Sequence, residues 1–154
     1  MVNDTHTFRI DCLIAHTHAA GLPGRQCDSL VLTSEQRRWV RGRFVTAQGR
    51  EVALALPTGT VLQPGQILCV EDDWYLQVQA APEPVLAISP PDARSAVRIA
   101  FEVGNRHFPL AVDEEKLLVP DDPAMVQLLN RLGATWERAN AVFQPIGHAH
   151  RHEH

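Results

Sequence analysis

The sequence predicts an α+β chain: an all-β N-terminal domain, a C-terminal domain in which strands and helices alternate, and a histidine-rich tail. Three observations predict it. Over residues 1–80, short apolar runs are cut by Gly and Pro turn signals at strand spacing. From Asp92 the apolar period becomes helical, and helical and extended segments then alternate as far as Phe143. After Ile146 no large apolar side chain remains, and the chain ends His148-Ala149-His150-Arg151-His152-Glu153-His154.

In the first domain the extended runs are Phe8 to Ala15, Ser29 to Leu32, Arg41 to Thr46, Val52 to Leu56, Ile67 to Val70 and Trp74 to Val78. Gly21-Leu22-Pro23-Gly24, Gln48-Gly49-Arg50 and Pro64-Gly65 separate several of them. Strands at this spacing suggest a small barrel or sandwich. Ser34 to Val40 has room for a single helical turn. The texture changes between Ala80 and Pro84, where the domain boundary is expected, giving domains over 1–80 and 81–146 and a tail over 147–154.

In the second domain Val85 to Ile88 reads as a strand. Ala93, Ala96, Val97, Ala100 and Phe101 then fall on one helical face. Pro91 or Asp92 can open that helix, and Gly104 can close it in the left-handed conformation. Pro109 to Val112 and Lys116 to Val119 follow as strands about the acidic turn Asp113-Glu114-Glu115. Asp121 or Asp122 caps a second helix with Pro123 in its first turn, and Gly133 ends it. Its apolar face is Met125, Val126, Leu128, Leu129 and Leu132. A last strand runs from Thr135 to Phe143. The order β-α-β-β-α-β is the split βαβ, or ferredoxin-like, pattern. The tail is expected to be disordered without metal.

Composition excludes several function classes. At 154 residues and 45% hydrophobic content the chain can bury a core. Its formal charge of −4 lacks the basic excess of a general nucleic-acid binder. No apolar run approaches a membrane span, and no export signal is visible, so a cytoplasmic protein is expected. Cys12, Cys27 and Cys69 are odd in number and show no CxxC spacing, which fits reduced thiols. No P-loop, GxGxxG or nucleophile motif is present.

Two features carry chemistry. The tail places histidine at every second position of its seven residues, and neutral imidazole is a good ligand for nickel, copper and zinc. A purification tag would more commonly be an uninterrupted run. The second feature is His107, the only histidine between His18 and the tail. It lies at the junction between the first helix and the strand after it. A histidine there can simply complement the helix dipole. If it binds metal, the other ligands must come from the tail or from a second copy of the chain, since a two-fold axis beside it would bring two such rings together. His16 and His18 form a possible weak pair, more plainly solvated. Arg37, Arg38, Arg41 and Arg43 with Trp39 form a local basic patch, either a solvated strand edge or a contact for an acidic protein.

Gly104-Asn105-Arg106-His107, the segment Leu56-Pro57-Thr58-Gly59-Thr60-Val61-Leu62 with Pro64-Gly65-Gln66-Ile67-Leu68, and the histidine-rich C-terminus together resemble the urease accessory protein E family, the nickel metallochaperones of urease maturation. The resemblance spans the chain. It implies a peptide-binding-like N-terminal domain and a ferredoxin-like C-terminal domain that dimerises. It also implies Ni(II) held by His107 of each subunit with tail histidines, drawn from His148, His150, His152 and His154. Zn(II) and Cu(II) accept the same ligands. The implied partners are the urease GTPase accessory protein and apo-urease, with no nucleic acid, no membrane and no catalytic activity. Thr58 and Gln66 depart from the family's arginine and aspartate. Against this stand a nickel or zinc storage protein working through the tail, and a small zinc-dependent hydrolase using His107.

Overall fold

The computed structural model describes residues 6–11 and 22–147. His16, His18, Cys12 and the whole tail from His148 lie outside them. The chain divides into two compact units, Met1–Ala80 and Ala81–His154.

Apart from one 3-10 turn, the described N-terminal unit is all β: β1 (Thr7–Ile10), β2 (Gln26–Leu32), β3 (Arg41–Val45), β4 (Glu51–Ala55), β5 (Ile67–Val70) and β6 (Trp74–Ala80). They form two three-stranded sheets, β1-β4-β3 and β2-β6-β5. Side chains alternate across a strand. Val52 and Leu54 of β4, Leu30 and Leu32 of β2, and Leu76 and Val78 of β6 therefore meet in one core. The stretch 34–40 holds the 3-10 turn Gln36–Arg38. Its Arg37 is buried, with Nη1 donating to the Leu32 carbonyl at 3.0 Å. The expected basic patch accordingly loses Arg37, because the turn folds that side chain inward to a backbone acceptor. Arg38, Trp39, Arg41 and Arg43 remain exposed.

Asp28 takes an inward position on β2, in phase with Leu30 and Leu32, and is 1% exposed. A buried carboxylate persists only when its oxygens are satisfied. Here Thr46 Oγ1 and Arg50 Nη1 donate to it from side chains, and Ser29 and Gln48 donate from backbone N–H groups. Burial alone would raise its pKa. The four donors outweigh burial and hold the carboxyl below the usual range. Arg50 also lies over the Trp74 ring, 4.0 Å from its centroid, so one network pins the β3–β4 turn to β2. Gln66 supplies a turn acceptor: its Oε1 accepts from Gln63 N–H at 3.1 Å.

The C-terminal unit runs β7 (Pro82–Ile88), α1 (Ala93–Asn105), β8 (Ala111–Asp113), β9 (Lys116–Pro120), α2 (Pro123–Arg131) and β10 (Trp136–Val142). Its strands form one antiparallel sheet in the order β10-β7-β9-β8. Asp92 and Asp122 cap the two helices, accepting from Ser95 N–H and Ala124 N–H. β7 starts at Pro82, earlier than the run Val85 to Ile88 suggests. Its prolines are tolerated because β9 pairs only from Val85 onward. The Pro84 carbonyl faces Asp121 N–H, so its donorless nitrogen points past the end of that ladder.

Leu86 and Ile88 of β7, Leu117 and Val119 of β9, Ile99 and Val103 of α1, and Met125, Leu128 and Leu129 of α2 form the main core. The opposite face of the sheet carries Val85, Ala87, Ala111, Leu118 and Phe143. The face expected for α1 needs correction. Ala96 and Ala100 pack inward, but with Ile99 and Val103, whereas Val97 and Phe101 are 70% and 65% exposed. Ala93 is exposed too. Two apolar stripes share this helix, and the larger buried side chains of the second turn it toward the sheet.

Candidate metal centre

His107 follows α1 by two residues, and its backbone is left-handed, with φ 60. The cap around it is complete. His107 N–H donates to the Gly104 carbonyl at 3.0 Å and Phe108 N–H to the Val103 carbonyl at 3.3 Å. This is the Schellman ending, whose left-handed residue is usually glycine. The chain supplies its own comparison. At the end of α2, Gly133 has φ 67, its N–H donates to the Asn130 carbonyl, and Ala134 N–H donates to the Leu129 carbonyl. Helix α1 thus carries histidine at the post where α2 carries glycine.

Gly104 was the residue expected to be left-handed, and it is not. It lies inside α1. The helix continues past it because Arg106 holds the last turn, with Nη1 donating to the Glu102 carbonyl and pairing with Glu102 Oε2 at 2.7 Å. Termination comes where Phe108 can fold back onto the core cluster that contains Val103, the apolar contact that accompanies this cap. For a residue with a Cβ, the left-handed conformation costs roughly 1–2 kcal/mol, and histidine tolerates it better than most.

The His107 side chain is exposed, and among the described residues it forms no hydrogen bond or ion pair. Its imidazole nitrogens are therefore open to a ligand from outside this set. Among the described residues no group of three or more His, Cys, Asp or Glu converges. The sequence-proposed ligands His148, His150, His152 and His154 lie outside the described residues, as does the His16 and His18 pair. Cys27 is exposed and Cys69 is half-buried, both in the N-terminal unit. Burial, then the Glu71 charge, pushes the Cys69 thiol up, which favours the protonated form over a metal-binding thiolate.

Two features near His107 were invisible in the sequence. Ile146 N–H donates to the Leu110 carbonyl at 2.9 Å, so the chain leading to the tail is fastened three residues beyond His107. Val97, Phe101 and Gly104 also form an exposed stripe at i, i+4, i+7 spacing on α1. Alternating apolar stripes signal a helix but not which stripe is buried, and a hydrogen bond between distant backbone groups leaves no mark in the sequence.

Comparison with known proteins bears on both units. The family model described as UreE urease accessory protein, N-terminal domain, matches residues 10–81, and the one for the C-terminal domain matches residues 83–154. A urease accessory protein UreE of Paraburkholderia xenovorans is 39% identical over 150 residues, covering 94% of this chain and 67% of its own length. Those of Burkholderia thailandensis and Burkholderia mallei are 48% and 47% identical over 110 residues, 69% of this chain. The chain spans 52% and 60% of their respective lengths.

Proposed function

The chain belongs to the UreE urease accessory protein family, and from that premise we propose that it is a nickel metallochaperone delivering Ni(II) to apo-urease through the urease GTPase accessory protein. The family is one of accessory proteins, which sets the hydrolase reading aside. The observation that carries the proposal is His107 at a glycine post. A strained residue held in place by a complete cap points to a side chain kept for its chemistry.

In this reading the C-terminal unit, with strand order β10-β7-β9-β8 and two helices, is the ferredoxin-like domain of 81–146. It dimerises through the exposed stripe of α1, and a two-fold axis there sets His107 against its mate. The N-terminal unit of 1–80 is the peptide-binding-like domain. Tail histidines complete the metal shell. An extended chain spans at most about 3.6 Å per residue. His148 and His150 therefore start within about 7 and 14 Å of the Ile146 anchor, and His107 within about 11 Å of Leu110. His152 and His154 add weaker sites beyond them. Imidazole releases metal as it takes up protons and can be exchanged one ligand at a time, which suits transfer in the cytoplasm. Zn(II) and Cu(II) bind the same set less usefully for urease.

Nickel calorimetry with mass measurement tests this. The wild-type dimer is expected to show one tight step per dimer, and His107→Ala to lose it while the other histidines remain. A tight step that survives with unchanged stoichiometry would leave the tail as the whole site and return the storage reading.

A further inference from the structure

The sheet β1-β4-β3 has an exposed face and, along β3, an edge strand. Val40 accepts from Leu56 N–H, and Thr46 N–H donates to Arg50. Antiparallel pairing alternates, so the even-numbered residues of β3 turn their backbone groups to β4. Arg41, Arg43 and Val45 turn theirs the other way. Among the described residues β3 pairs with β4 alone, so no described strand occupies that edge. The same three residues point their side chains to the exposed face. There Arg43 lies across Ala53 from Arg9, and Arg41 lies beside Ala55. None of these three arginines forms an ion pair among the described residues. The ladder's one carboxylate, Glu51, accepts from Thr7 Oγ1.

A merely solvated edge would be blunted by charge alone. This one adds Val45, 66% exposed, and Trp39, 46% exposed, beside Phe44. Aromatic and arginine side chains are the usual anchors of protein interfaces, and the planar guanidinium suits carboxylates.

We propose that β3 receives an extended acidic segment of a partner protein as an added strand. The segment's backbone would complete the open ladder. Its carboxylates, two residues apart, would meet Arg41 and Arg43, and an apolar residue would rest against Trp39. This mode of recognition needs both a free edge and side-chain complementarity. It rests on and deepens the peptide-binding reading of the N-terminal unit, and it stands independently of the metal reading, because it uses no histidine.

Fluorescence anisotropy on the full chain tests it, with a labelled peptide of alternating Glu and Val as the probe. The expected results are binding by that peptide, none by a Lys and Val counterpart, and weakening of about tenfold or more in Arg41→Ala/Arg43→Ala. The same loss is expected when alternate peptide nitrogens are methylated, a change that leaves the protein untouched. Nickel binding by the double variant should equal the wild type's, so failure here and failure at His107 are separable. Absence of binding, or binding that ignores backbone methylation, would overturn strand addition. So would a single-stranded oligonucleotide that binds this face more tightly than the peptide.

Discussion

His107 at the end of α1 and Gly133 at the end of α2 occupy equivalent positions in two copies of the same helix cap, each left-handed and each donating its N–H to the carbonyl three residues back. One position has the residue the backbone prefers, and the other does not.

Glycine at 107 should therefore stabilise the fold by about 1 kcal/mol while abolishing the tightest nickel step. His107→Ala keeps a Cβ in the left-handed region and should lose nickel without that gain. Gly133→Ala should cost about 1 kcal/mol and leave nickel binding alone. Chemical denaturation and calorimetry on the three variants check this. A destabilised His107→Gly would mean that contacts of the imidazole, not metal, keep it there.

The exposed stripe of α1 gives the second prediction. Val97→Glu/Phe101→Glu should be folded by circular dichroism but monomeric by light scattering, with the shared nickel step gone. Neither side chain belongs to the buried core, so the fold should tolerate both charges. A dimer of unchanged mass would place the interface elsewhere.

Removing His148 to His154 should lower the number of nickel ions bound and leave a folded dimer. The core clusters of the C-terminal unit close with Phe143, upstream of the deletion. Loss of dimer mass on truncation would contradict it.

Asp28 gives a pH dependence unrelated to metal. Its carboxyl titrates below the ordinary range in the folded chain and near 3.9 when unfolded. Its stabilisation is thus complete above about pH 5 and drains away as pH falls through the lowered folded value. Asp28→Ala, which strands Arg50 and three other donors, should cost about 3 kcal/mol at neutral pH and flatten the acid limb of the stability profile. Urea unfolding between pH 7 and pH 3 measures both effects.

Much of this architecture can be read from the residues. Turn glycines and prolines mark most strand breaks, and Asp92, Asp122, Pro123 and Gly133 punctuate the helices as their chemistry requires. His107 stands out by isolation. What escaped reading depends on distance along the chain. Asp28 falls just before the run Ser29 to Leu32, and only the fold shows it buried on β2 and satisfied by the 46–50 turn. Arg37 looks like a surface cation until a 3-10 turn aims it at Leu32. Gly104 looks like the helix stop because glycine usually is, and only the seat for Phe108 shows that the stop comes later. The tail histidines suggest ligands by composition alone, and they lie outside the described residues.

If the tail ligates as proposed, the hydrogen bond from Ile146 to Leu110 makes its contribution one of local concentration as well as of affinity. A ligand joined to its site by a short tether acts as though present at about millimolar concentration, and each doubling of the tether costs only about 0.6 kcal/mol. On the proposed reading, an imidazole that let go of the ion would have a neighbouring histidine at that local concentration to replace it. A receiving protein would have to outcompete that tethered supply. Release of nickel would then depend on docking, which would bring the acceptor's own ligands to comparable local concentration.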